Sequence, residues 1–194
     1  AENTLIIFDE IQEAPKGITS LKYLYEDAPQ YHIIAAGSLL GVGIHPGESF
    51  PVGKVDFMKL YPMSFYEFIL AMQETGIAEL LEKKDLANLN FFNKKLINYL
   101  RYYLYIGGMP EVVQDFALNR DWQNVRKIQN QIITSYRNDF SKHAPNEILP
   151  RINMVWDSIP AQLSKENRKF IYGVIKEGAR AKDFEMAIQW LTDA

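Results

Sequence analysis

Apolar residues follow two different rhythms along this chain. In the first third they form short unbroken runs, Leu5-Ile6-Ile7-Phe8 and Tyr31-His32-Ile33-Ile34-Ala35-Ala36, the pattern of strands buried on both faces of a parallel sheet. Between the runs, after Pro15 and Gly17, Ile18, Leu21, Leu24 and Tyr25 recur at the spacing of one helical face. Strand, helix, strand is a βαβ unit, and its crossover makes the strands parallel. A third strand is predicted from Val55 to Leu60. After Pro62 the period becomes helical. Ser64 and Glu67 form a Ser-x-x-Glu capping box ahead of Phe65, Phe68 and Ile69. A helix is predicted from about Phe91 to Tyr105, stopped by Gly107-Gly108. A long one follows from about Asp121 to Lys142, with Trp122, Val125, Ile128, Ile132, Tyr136 and Phe140 as its apolar stripe. Three shorter helical segments close the chain: Asn146 to Ser158, Gln162 to Val174, and Asp183 to Thr192. The last presents Phe184, Ala187, Ile188, Trp190 and Leu191 as a face for burial. The pattern thus divides the chain into an α/β segment (1–62), a helical region (63–143) and a helical end (144–194).

The chemistry begins where the first run stops. Asp9-Glu10 follows directly on Phe8, and carboxylates in that position emerge at the C-terminal edge of a parallel sheet, where open α/β folds place their ligands. The apolar run ending in two acids has the shape of a Walker B element. In P-loop NTPases an Asp there supports Mg²⁺, and a neighbouring Glu can take the proton of an attacking water. The structural alternative is a buried strand followed by a solvated acidic turn. Ser38, after the second run, reaches the same edge as Asp9 and Glu10. A hydroxyl there can contact a γ-phosphate, the sensor 1 role, or simply cap the residues that follow.

A phosphate-gripping loop is missing. Such a loop needs Gly-x4-Gly-Lys-Ser/Thr, whose amides cradle phosphates. The one Gly-Lys pair, Gly53-Lys54, has Glu48 where the first glycine belongs and Val55 where the hydroxyl belongs. Pro51 also removes an amide donor. The pair lies after the acidic element, in the wrong order for the fold.

Several stretches together resemble a largely uncharacterised family of prokaryotic AAA+ ATPases with a helical second half and a further C-terminal domain. They are Leu5 to Gln12, Ala36-Gly37-Ser38-Leu39-Leu40, Phe50-Pro51-Val52-Gly53-Lys54-Val55, Leu60 to Phe68, Gly107-Gly108-Met109-Pro110 and Asp139-Phe140-Ser141-Lys142-His143, in the family's order. The resemblance implies an internal piece of a P-loop AAA+ core carrying Walker B and sensor 1, followed by a helical, winged-helix-like lid. It implies ATP and Mg²⁺ as ligands of the intact protein, with Asp9 holding the metal through water, Glu10 activating water and Ser38 sensing the γ-phosphate. In the family an arginine often stands at the position of Lys54, so a trans-acting finger role falls to that lysine in weakened form. Without the phosphate loop, neither appreciable hydrolysis nor tight ATP binding is expected of these residues alone.

Composition narrows the alternatives. The net charge of −3 and pI near 5.7 oppose a strongly cationic nucleic-acid surface. The most basic stretch, Lys165, Arg168, Lys169, Lys176, Arg180 and Lys182, is interrupted by Glu166, Glu177, Asp183 and Glu185. It supports a rival reading as a DNA-binding module with the last helix in a groove. A protein partner or self-association is the other non-enzymatic expectation. No cysteine is present, which excludes disulfides and thiolate zinc sites and fits a cytoplasmic, reducing compartment. The three histidines lack metalloprotease spacing, and no apolar run reaches the ~20 residues of a membrane helix.

Two smaller groups complete the reading. Tyr99, Tyr102, Tyr103 and Tyr105 could stack on bases, but interleaved leucines favour core packing. Asp139, Lys142 and His143 share a helix face. They read as cations offsetting the helix dipole, with Asp139 as a local salt-bridge partner. Arg137 as a nucleotide sensor and nuclease chemistry from Asp139 and Lys142 are weaker alternatives.

Overall fold

The computed structural model describes residues 4–14, 16–37, 53–166 and 169–193. Among them the elements run β1 (Leu5–Phe8), α1 (Gly17–Asp27), β2 (His32–Ala35), α2 (Phe65–Ala71), α3 (Thr75–Glu82), α4 (Leu86–Leu89), α5 (Asn93–Ile106), α6 (Pro110–Asn119), α7 (Trp122–His143), α8 (Leu149–Leu163), α9 (Tyr172–Ile175) and α10 (Ala181–Asp193). They form two compact units, residues 1–58 with 139–194, and residues 59–138.

In the first unit the βαβ arrangement is as the apolar runs predict. β1 and β2 pair in parallel, with Leu5 opposite His32 and Phe8 opposite Ala35. Burial differs from expectation. Leu5, Ile7 and Ile34 are more than half exposed, while their neighbours along each strand are half-buried. Successive side chains alternate between faces, so one face of this two-stranded ribbon is open. Val55 to Leu60 is not a strand: it makes no ladder with β1 or β2, and Met58 and Leu60 are 96% and 100% exposed. β-propensity alone does not make a strand where backbone groups find no partner strand.

The helical end of this unit packs α8 against α10. Its core joins Phe140, Ala144, Ile148, Ile152, Val155, Phe184, Ala187 and Trp190, and the Phe140 ring meets those of Trp156 and Trp190 edge-on. The face predicted for the last helix is therefore the buried one. The middle of the three predicted segments is largely not helix. α8 instead runs on to Leu163, and only the short α9 forms before Lys176. Ser164-Lys165-Glu166 offers no apolar face to pack, and Gln162 ties off the end by exchanging hydrogen bonds with the Ile171 backbone at 2.9 and 3.1 Å.

In the second unit the capping box forms as written in the sequence. Glu67 N–H donates to Ser64 Oγ (3.3 Å) and Ser64 N–H donates to the Glu67 carboxylate (2.7 Å). Ser64's backbone donor, then its hydroxyl, hold that carboxyl below its ordinary pKa. Phe68 lies at the centre of a core with Met72, Ile106, Val112, Val113, Phe116, Val125 and Ile128. The tyrosines pack here. Tyr103 is flanked by Phe65 and Phe68 and donates its hydroxyl to Met63 O at 2.8 Å, while Tyr102 meets Phe116 and Trp122 edge-on. α5 ends at Gly107, whose φ of 80° suits a residue without a Cβ. The next glycine has a different reason. Met63 N–H donates to Gly108 O at 2.7 Å, and a Cβ on Gly108 would strike the Met63 backbone. Two stretches that the sequence separates by more than forty residues thus meet backbone to backbone.

Glu74 ties α3 to α5 by accepting from Lys95 Nζ and Tyr99 OH, each at 2.7 Å. The Lys95 bond first, then that of Tyr99, hold the Glu74 carboxyl below its ordinary 4.5. Burial, reinforced by the carboxylate it faces, pushes the Tyr99 phenol up to about 12. Glu74 therefore contributes stability above its unfolded value, and loses it as pH falls through the lower folded value. Tyr99 contributes below its ordinary 10.0 and loses it as pH rises toward about 12. Glu74→Gln is expected to cost about 1 kcal/mol at pH 7, with a smaller gap at pH 3. Urea-unfolding midpoints of both proteins at the two pH values check this; an equal gap at both would contradict it.

Candidate functional site

The parallel register carries Asp9 and Glu10 to the C-terminal edge of the ribbon. Ala36 N–H donates to Phe8 O at 2.8 Å, and Ile11 N–H donates to Ala36 O at 3.1 Å. The acidic pair is thus enclosed between two backbone ties to β2's end, beside Ala36-Gly37. Ser38 follows Gly37 and lies outside the described residues, as do residues 39–52 and Arg168 of the basic stretch.

The turn itself is shaped by an unusual residue. Glu10 adopts the left-handed conformation, φ 49° and ψ 47°, which costs a side-chain-bearing residue about 1–2 kcal/mol. Such strain persists where surrounding contacts over-determine it. Asp9 Oδ1 accepts from Glu10 N–H at 3.1 Å. Glu13 N–H donates to Glu10 O at 2.9 Å, closing a single 3₁₀ turn from Ile11 to Glu13. Ile11 is buried and pins the turn to the unit. Gly17 lets α1 start against it, since a Cβ there would lie 2.6 Å from Ile11 O. Both carboxylates remain exposed.

Lys54 is placed elsewhere. Its Nζ lies 3.5 Å from Glu26 Oε1 and 4.9 Å from the centre of the Tyr25 ring. Both belong to the last turn of α1, which in a βαβ unit returns to the edge where the strands begin. The structure therefore unites Asp9 and Glu10 and does not bring Lys54 to them.

The Asp139 patch also differs from the local pairing predicted. Lys142 Nζ donates to Glu13 Oε1 at 3.0 Å rather than to Asp139, and His143 Nε2 lies 3.9 Å from the same oxygen. A partner so far away in sequence leaves no spacing signal, and Glu13 was not among the residues singled out. Arg137 is exposed on α7.

Adjacent exposed carboxylates suit Mg²⁺, a hard ion that keeps several waters and takes one or two protein carboxylates plus substrate phosphates. No group of three or more His, Cys, Asp or Glu able to hold a metal occurs among the described residues, so a fully protein-built cage is not what these residues offer. No helix among them is long and apolar enough to cross a membrane.

Comparison with known proteins gives two family matches. Residues 1–69 match the model described as AAA domain, and residues 97–194 match that described as Domain of unknown function (DUF8612). No curated protein and no solved structure matches the chain.

Proposed function

We propose that this chain, which belongs to the DUF8612 family through half of its length and carries an AAA-domain match ahead of it, supplies the metal-and-water side of an AAA+ ATPase site. One observation carries the reading: a parallel βαβ unit delivers Asp9 and Glu10, in a strained and tied-down turn, to the sheet edge beside Ala36-Gly37. Asp9 would hold Mg²⁺ through water, Glu10 would accept the proton of the attacking water, and Ser38 would contact the γ-phosphate. Bound there, the metal would neutralise charge on the phosphates. Lys54, facing away from this edge, is left the finger role toward a neighbouring copy in a cytoplasmic assembly.

The phosphate-binding loop and the layers that would cover the open face of β1 and β2 belong, in this proposal, to other parts of the intact protein. The exposed Leu5, Ile7 and Ile34 support this, because an apolar run of that kind is normally covered on both sides. The 194 residues alone are expected to bind Mg-ATP weakly and to hydrolyse it negligibly. Isothermal titration calorimetry of the chain with Mg-ATP checks the first point, and tight binding would refute it.

The helical end supports a winged-helix-like lid better than a DNA reader. The outward face of α10 carries Lys182 but also Glu185 and Asp193, and Arg180 is engaged by Asp183 at 3.2 Å. Phosphate contacts need unbalanced cations and weaken steeply with salt. Strong, salt-sensitive retention on DNA would reverse this preference.

A further inference from the structure

We infer that Lys142, acting through Glu13, is a positioning residue for the Asp9–Glu10 turn, an inference that rests on the reading of that turn given above. Ties from nearby in the unit hold the turn, among them the Ile11 N–H on Ala36 O, the Glu13 N–H on Glu10 O, the Ala14 N–H on Ile11 O, and the close approach of Gly17 to Ile11 O. Another comes from far along the chain. Lys142 Nζ reaches Glu13 Oε1 at 3.0 Å, with His143 Nε2 at 3.9 Å from that oxygen.

The lysine is well placed to act as a strut. Phe140 and Ala144, two residues to either side of it, are both buried in the helical core of the same unit, so the last turn of α7 is anchored before and after Lys142. The pair itself is exposed, 62% at Lys142 and 50% at Glu13. An exposed ion pair adds little to global stability, so its removal leaves the unit folded. What it changes is the population of a turn that contains a left-handed Glu10 and therefore has a more relaxed alternative within reach.

The test uses Lys142→Met, Glu13→Gln and the exchanged pair Glu13→Lys with Lys142→Glu. In both single variants, amide hydrogen exchange of Ile11, Glu13 and Ala14 is expected to quicken about threefold, with the global unfolding midpoint unchanged. The exchanged pair returns it to the original rate. In the full-length protein the single variants lower kcat for Mg-ATP by about threefold at unchanged KM, and the exchanged pair restores it. Unchanged exchange in the single variants overturns the inference, as does faster exchange with no change in kcat. A full-length protein that hydrolyses no ATP overturns the reading of the site itself. The exchange result, which needs no nucleotide, tells that failure apart from failure of the strut.

Discussion

On the proposed reading, replacing Glu10 by Gln is expected to lower Mg-ATP turnover of the full-length protein by about 10²–10³-fold and to leave ATP affinity unchanged. The expectation follows from what the substitution removes. Glutamine keeps the length and hydrogen-bonding reach of glutamate but cannot accept a proton from water, so the lost interaction is one made in the transition state and appears in kcat rather than KM. Folding is not the confounder. Glu10 is exposed, and the substitution changes neither the side-chain shape nor the left-handed backbone position it occupies. Asp9→Asn should behave differently, raising the Mg²⁺ concentration needed for half-maximal turnover, because it weakens metal support rather than proton transfer. Steady-state rates over a Mg²⁺ titration separate the two variants. Unimpaired turnover in Glu10→Gln would remove the general base from the proposal.

Phe68→Ala is expected to destabilise the second unit by about 4 kcal/mol. Phe68 is 0% exposed, its ring lies 5.5 Å from that of Tyr103, and it sits in one cluster with Met72, Ile106, Val113 and Phe116. Removing it leaves a cavity that helices pinned by the capping box and by the Met63–Gly108 contact cannot close. A loss of that size is a large share of the 5–15 kcal/mol that holds a typical domain together. Phe91→Ala is the control, since Phe91 is 85% exposed and its loss should stay within about 0.5 kcal/mol. Chemical denaturation of the two variants checks the contrast, and similar losses in both would show that burial is not what sets the cost.

Local rules were the ones legible in the sequence. The Ser64–Glu67 cap, the glycine stop after Ile106 and the apolar face of α10 each depend on residues within a turn or two of one another, and each is found where predicted. The parallel pairing of β1 and β2 was also legible, because a helix between two apolar runs leaves little other topology. Val55 to Leu60 failed for the complementary reason: a strand is defined by a partner, which no window of one sequence contains. The same holds for the Lys142–Glu13 pair and for Gly108. Spacing rules pointed Lys142 at Asp139, three residues away, whereas the partner came from a segment folded back from the other end of the chain. At the site, the identity of the acidic residues was readable but the left-handed backbone of Glu10 was not, since nothing in glutamate's own preferences calls for it.

The stretch from Val55 to Tyr61, which lies in neither helix nor strand, has a practical corollary. Its irregular backbone and exposed Phe57, Met58, Leu60 and Tyr61 are the features an endoprotease of chymotryptic preference needs in a substrate, because such enzymes engage chain that is not already committed to a helix or ladder. Limited digestion therefore has an obvious first nick, at a place where cutting severs no regular element.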